Sequence, residues 1–167
     1  NTIDSCTIEY TNLTSGSTGG GAYIAFTAST TSVTSYTSTY NGSYNTISNC
    51  LMRTTNSNSP GPTNAVVVMG SSSKYASTPS NNTIKNNTIQ NFYYRIYYNY
   101  YANGDQFINN DCSRANATSN NAYALPYMFY SYYTYSTNRS TTIAGNYVHD
   151  LPFNGATSGY TSTVYGM

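Results

Sequence analysis

Few side chains in this 167-residue chain have the chemistry to react or to bind an ion. The carboxylates are Asp4, Glu9, Asp105, Asp111 and Asp150; the thiols are Cys6, Cys50 and Cys112; the single imidazole is His149. Paired carboxylates can divide acid and base work across a glycosidic bond, but these five are scattered along the chain. No C-x-x-C or paired Cys/His spacing points to zinc, and no metal or other cofactor is expected. His149-Asp150 reads first as a turn pair rather than a catalytic one. The abundant resource is tyrosine, with 21 residues against 5 Phe and no Trp. Tyr rings offer an apolar face and a hydrated hydroxyl, the chemistry that contacts sugars.

Composition narrows what can position these groups. Asn, Ser and Thr together make 72 of the 167 residues, and only 7% are charged, against roughly 25% in an ordinary domain. Such side chains compete with the helix backbone and favour strands and turns. The net charge of +1 lacks the concentrated basic surface that nucleic acid demands. No apolar run approaches the roughly 20 residues of a membrane-spanning helix. The low charge and many hydroxyls and amides suggest an extracellular or cell-surface setting. An odd number of cysteines, 3, does not close a disulfide framework.

The chain repeats. NTIDSCTI from Asn1, NTISNCLM from Asn45, NTIKNNTI from Asn82, QFINNDCS from Gln106 and TTIAGNYV from Thr141 align with Ile at the third position. That column is Ile3, Ile47, Ile84, Ile108 and Ile143, and it should form one inward stack. The eighth position is Ile8, Met52, Ile89, Ser113 and Val148. Inward residues five apart cannot share one face of a straight strand, whose side chains alternate, so a corner must separate them. Positions five and six hold Ser5-Cys6, Asn49-Cys50, Asn86-Asn87, Asn110-Asp111 and Gly145-Asn146. Several of these are types that enter the left-handed region cheaply. The unit reads as strand, corner, strand, with a corner row of Cys6, Cys50, Asn87, Asp111 and Asn146.

Further strand candidates lie between the units: AYIAF from Ala22, AVVVM from Ala65, YRIY from Tyr94 and YMFY from Tyr127. Stretches such as TSGSTGGG from Thr14 and NSNSPGPT from Asn56 read as loops. Strands that recur once per coil, with variable loops, describe a solenoid. A disordered low-complexity segment is the first competing reading, opposed by the aligned apolar column and by 16% aromatics. An antiparallel sandwich of Tyr/Thr strands is the second.

The run NNTIKNNTIQNF from Asn81 to Phe92 resembles right-handed parallel β-helix proteins, the broad group of pectate lyases, polygalacturonases, phage tailspikes and bacterial surface proteins. The likeness covers roughly Asn1 to Leu151. In flavour it is closest to Asn/Thr-rich exported surface proteins of Bacteroidetes-like bacteria. The chain departs from such repeats where Arg95, rather than Gly, precedes Ile96. The implied fold is all-β, a right-handed parallel β-helix of about five coils with variable loops. It fills 1–167 as one domain and suits a fragment of a longer chain. End-to-end association at open coil ends is expected. Enzymes of the group gather several Asp beside a His and a basic residue. Asn103-Gly104-Asp105, His149-Asp150 and Arg95-Ile96-Tyr97 only loosely echo this: Gln106 stands where a second Asp belongs, and no Gly flanks His149.

The resemblance implies a structural or adhesive extracellular module whose partners are a polysaccharide or other surface proteins. A polysaccharide lyase or glycoside hydrolase is the first alternative, and an ice-binding β-solenoid the second, though uneven coil lengths oppose a flat Thr face. If Ile96 points inward, alternation sends Tyr93, Arg95 and Tyr97 outward. The neighbouring segment then adds Tyr127 and Tyr130 to an aromatic glycan platform. The bland alternative is that these rings pack on one another and merely shield the sheet. Cys6 and Cys50 should stack in neighbouring coils, about 4.8 Å apart. Whether they are bridged stays open. Free thiols are favoured, because a bridge between in-register parallel strands would be strained. Cys112, one position further along, should face the other way.

Overall fold

A computed structural model describes residues 1–10, 21–26, 42–54, 61–69, 80–92, 95–100, 102–114, 128–132 and 140–151. Every element there is a strand, and none is a helix. The strands form three parallel sheets, each stacked in order of the repeats. The first sheet joins β1 (Thr2–Asp4), β4 (Thr46–Ser48), β7 (Thr83–Lys85), β10 (Asp105–Ile108) and β13 (Thr141–Ala144). The second joins β2 (Thr7–Tyr10), β5 (Leu51–Thr54), β8 (Thr88–Gln90), β11 (Asp111–Ser113) and β14 (Tyr147–His149). The third joins β3 (Ala22–Phe26), β6 (Asn64–Met69), β9 (Arg95–Tyr100) and β12 (Phe129–Tyr132). This stacking is compatible with a solenoid.

A left-handed residue makes the corner between the first two sheets in every repeat. Ser5, Asn49, Asn86, Asn109 and Gly145 have φ of 54, 54, 56, 53 and 64°. Three of the five are Asn, whose short amide tolerates this region. At Gly145 a side chain would run into the Asn109 amide of the coil below, so glycine suits both the φ and the close approach.

The core lies between the sheets, and the third position supplies one wall of it. Ile3, Ile47 and Ile84 pair in register, but the next member is Phe107, which lies opposite both Ile84 and Ile143. Ile108 pairs with Lys85 and Ala144 instead and is only half-buried. The fourth copy therefore starts at Asp105, one residue earlier than the Ile column suggests. Phe107 is fully buried against Tyr97, with ring centroids 5.2 Å apart. An Ile one residue away could not reach the same place, because neighbouring strand positions face opposite sides.

The same shift changes two more positions. Asn110, not Asp111, occupies the corner row, and Asp111 instead pairs with Thr88 and Tyr147 in the second sheet. Cys112 points inward, opposite Ile89 and Val148, and is fully buried. Ile3, in β1, is 40% exposed.

Two polar rows run across the coils. At position one, the Asn1 amide donates to Asn45 Oδ1 (3.1 Å), Asn45 to Asn82 Oδ1 (3.0 Å) and Asn82 to Asp105 Oδ1 (3.2 Å). At position six, Asn87 donates to Asn110 Oδ1 and Asn110 to Asn146 Oδ1, each at 3.0 Å. Each of these amides also donates to a carbonyl one coil back: Asn87 to Ile47, Asn110 to Ile84 and Asn146 to Phe107. Asn82, Asn87 and Asn110 are buried. Their amides satisfy one another in a setting where an unpaired polar group would cost about 1–3 kcal/mol.

Candidate functional site

The aromatic segment on β9 does not lie as plain alternation suggests. The backbone N–H groups of Ile96 and Tyr97 both donate to the Met128 carbonyl, at 2.9 and 3.2 Å. Two residues opposing one is the pattern of a β-bulge, which breaks the inward–outward alternation. Ile96 and Tyr97 consequently both lie in the core, fully buried. Tyr97 is thus no part of an outer platform. Tyr93 and Tyr127 lie outside the described residues.

Beyond the bulge, Tyr98 and Tyr100 take the outer side of the third sheet, and Tyr98 pairs with Tyr130 on β12. Their rings form a cluster: Tyr98–Tyr130 centroids are 5.3 Å apart and Tyr98–Tyr100 6.2 Å, both tilted by less than 40°. The Arg95 guanidinium lies 4.7 Å from the Tyr98 centroid and 5.4 Å from that of Tyr130. It also donates to Asn64 Oδ1 at 3.4 Å. Arg95, Tyr98, Tyr100 and Tyr130 are all half-buried. The rings are therefore held by their neighbours yet keep part of their surface open, and a guanidinium beside them can donate to hydroxyls.

Inside the sheets lies a second polar cluster. Asp105 is 1% exposed. Its Oδ1 accepts from the Asn82 backbone N–H (2.8 Å) and side-chain amide (3.2 Å), and its Oδ2 accepts from the Tyr97 hydroxyl (3.2 Å). Asn99 donates to that hydroxyl (3.2 Å) and to Thr141 Oγ1 (2.9 Å). Burial pushes the Asp105 carboxyl up to about 6, against the opposing pull of the bonds from Asn82 and Tyr97. Asp105, Tyr97, Asn99 and Asn82 are all buried, so the cluster reads as a core network.

The third cluster is exposed. His149 Nδ1 lies 2.8 Å from Asp150 Oδ2, and Nε2 lies 2.7 Å from Asp111 Oδ1. The Tyr147 ring stacks on the imidazole at 4.6 Å. A neutral imidazole carries one N–H, so it can donate to only one of two carboxylates. Both contacts are satisfied only by the imidazolium. The bonds to Asp150, then Asp111, hold the His149 pKa above its ordinary 6.5. Its stabilising contribution is therefore complete below pH 6.5 and is lost as pH rises through the raised value. Since the chain has 1 His, one imidazole resonance can be followed by NMR. Its midpoint should exceed 6.5 and fall in both Asp150→Asn and Asp111→Asn. A midpoint unmoved in both variants would remove the clasp.

The remaining carboxylates are spoken for. Glu9 pairs with Arg53 Nη2 and Nε at 2.6 and 2.9 Å on the surface. Asp4 accepts from Ser48 and Asn49 of the next coil and from Ser5, and these bonds, Ser48 foremost, hold its carboxyl below the usual range. Among the described residues no three His, Cys, Asp or Glu side chains gather to hold a metal. No family model, curated protein or solved structure matches this chain.

Of the aromatic-segment residues expected from the sequence to face outward, Arg95 and Tyr130 lie together beside Tyr98, whereas Tyr97 is buried in the core. The Tyr98–Tyr130 pair could have been found from cross-strand register once β9 and β12 were stacked. The bulge at Ile96-Tyr97 leaves no mark in the residue pattern. The Asp111–His149 contact, 38 residues apart, follows from the corrected start at Asp105, which brings Asp111 beside Tyr147.

Proposed function

We propose that this chain is an extracellular right-handed parallel β-helix module with a structural or adhesive role, and that it contacts a neutral polysaccharide through the Tyr98–Tyr100–Tyr130 face. Right-handedness follows from the strong preference of parallel crossover connections for that hand. The observation that carries the binding role is the ring cluster beside Arg95 on the outer side of the third sheet. Tilted rings in one patch can stack on the C–H faces of sugars, while their hydroxyls and the guanidinium donate hydrogen bonds. Low overall charge suits an uncharged partner.

The test is retention on a panel of insoluble and immobilised polysaccharides, with released sugar measured in parallel. Tyr98→Ala with Tyr130→Ala should leave the parallel sheets intact, because the Ile and Phe stack lies on the other side. Retention of the parent on at least one neutral glycan, lost in the double variant, is the expected result. Equal retention of parent and variant on every glycan would end the platform reading. Release of sugar would move the reading to the lyase or hydrolase class.

A further inference from the structure

We propose that Cys6 and Cys50 together bind one soft, thiophilic metal ion such as Ag(I) or Cu(I), held between the sulfurs of adjacent coils. Both residues sit in the corner after a left-handed residue, Ser5 or Asn49. Each thiol contacts the carbonyl two residues back, Cys6 Sγ to Asp4 O at 3.2 Å and Cys50 Sγ to Ser48 O at 3.1 Å. The two side chains therefore adopt the same orientation. Asp4 pairs in register with Ser48, and Thr7 with Leu51, on either side of the corner. The sulfurs are then related by the coil-to-coil step, about 4.8 Å.

That separation decides between two chemistries. A disulfide needs sulfurs about 2.05 Å apart, so the corner would have to close by more than half the step. Zinc–thiolate bonds are about 2.3 Å long, and two bonds of that order to a soft ion span roughly 4.6 Å in a straight line, close to the coil step. Soft ions prefer thiolates, and a filled d shell accepts two of them in line. Two ligands are then sufficient, and no third acidic or imidazole group is required. On binding, both S–H bonds break, two metal–sulfur bonds form and two protons pass to water. No electron is transferred. Cys6 is exposed and Cys50 is 2% exposed, so the ion would enter from the Cys6 side, where water also meets the remaining negative charge.

The position in the row strengthens the case. Amide bonds tie the coils at Asn87, Asn110 and Asn146, and Asn87 Oδ1 accepts from the Cys50 backbone N–H at 2.9 Å. Between Cys50 and Cys6 the row holds two thiols instead. That step also joins β1, exposed at each of its residues, to the largely buried β4. A bound ion would fasten β1 and β2 to β4 and β5. Cys112 is an internal control, since burial raises its thiol to about 12 and it lies in the core.

The full chain, reduced and then freed of reductant, is titrated with Ag(I) by calorimetry and by near-ultraviolet thiolate-to-metal absorption. One ion per chain is expected. Cys6→Ser changes an exposed residue and should weaken binding by more than the roughly 10–100-fold that losing an outer-shell partner costs. The double variant Cys6→Asn/Cys50→Asn keeps the corner row as amides, so it should fold and bind no Ag(I) at this step. In the parent alone, Ag(I) should slow amide exchange in β1 and β2. Absence of binding, or binding of equal strength and number in both variants, would overturn the site. So would an intramolecular Cys6–Cys50 disulfide formed on mild oxidation, seen as loss of two thiols and two hydrogens, because it requires the sulfurs far closer than the coil step.

Discussion

Replacing Ile84 by alanine is expected to destabilise the protein by about 2–5 kcal/mol, the usual range for emptying a fully buried aliphatic site. Ile84 is 0% exposed and lies between Ile47 and Phe107, in the middle strand of the first sheet. Strands on both sides hold its backbone through parallel hydrogen bonds, so the cavity cannot close by a local shift. Ile3→Ala makes the same chemical change at a side chain that is 40% exposed, where less area leaves water on folding. It should cost about 1 kcal/mol or less. Ile108→Ala should also cost little, since that side chain is half-buried on the other face of β10. Denaturant unfolding with an unchanged m-value would check all three. A loss at Ile108 as large as at Ile84 would mean that the register through Phe107 is wrong.

The contrast shows which parts of the fold are legible in residue types. Two of the three parallel sheets follow from a short apolar–corner–apolar unit, because Ile five residues from Ile forces a bend between strands, and the third follows from the apolar segments between the units. Position within a repeat is harder. Phe107 and Ile108 are adjacent and both apolar, so hydrophobicity alone cannot say which one faces inward. The polar row can. Aligning Asp105 with Asn82 and Asn110 with Asn87 matches hydrogen-bonding side chains at both ends of the unit, and it brings Cys112 into the eighth position. Buried amides tolerate less variation than buried methyl groups, since a missed partner leaves an unsatisfied donor or acceptor.

The aromatic face shows a different limit. Period-2 alternation holds for a regular strand, but Ile96 and Tyr97 share one acceptor at Met128. One extra residue reverses every side chain beyond it. Tyr97 is drawn inward by two partners that β10 supplies, the Phe107 ring and the Asp105 carboxylate. Neither is near Tyr97 in any local pattern of outward-facing residues. The segment's aromatic character was legible, while its facing depends on contacts between sheets.

Asp105→Asn is expected to stabilise the protein at neutral pH and to flatten its stability between about pH 4 and 6. Asp105 stands in a row that Asn occupies at Asn1, Asn45 and Asn82. Its carboxyl is raised from 3.8 to about 6 by burial, so the folded state binds the proton more tightly than the unfolded state. The sign follows directly: the contribution is complete below pH 3.8, is lost as pH rises through about 6, and is constant above that. A shift of about 2 units corresponds to roughly 3 kcal/mol, as an order of magnitude. An amide at 105 keeps the Oδ1 acceptor for Asn82 and carries no charge to desolvate. Part of the gain is offset at the Tyr97 hydroxyl, which donates to Asp105 Oδ2 and accepts from Asn99. With an amide N–H in place of Oδ2, that hydroxyl would have to turn its hydrogen elsewhere. The measured quantity is the difference between parent and variant unfolding free energies across pH 3–8, which cancels the titrations of Asp4 and His149. The variant's advantage should grow from near zero or negative at pH 3 to its largest value above pH 6. A difference that is constant with pH would show that Asp105 is not ionised at a cost within the core.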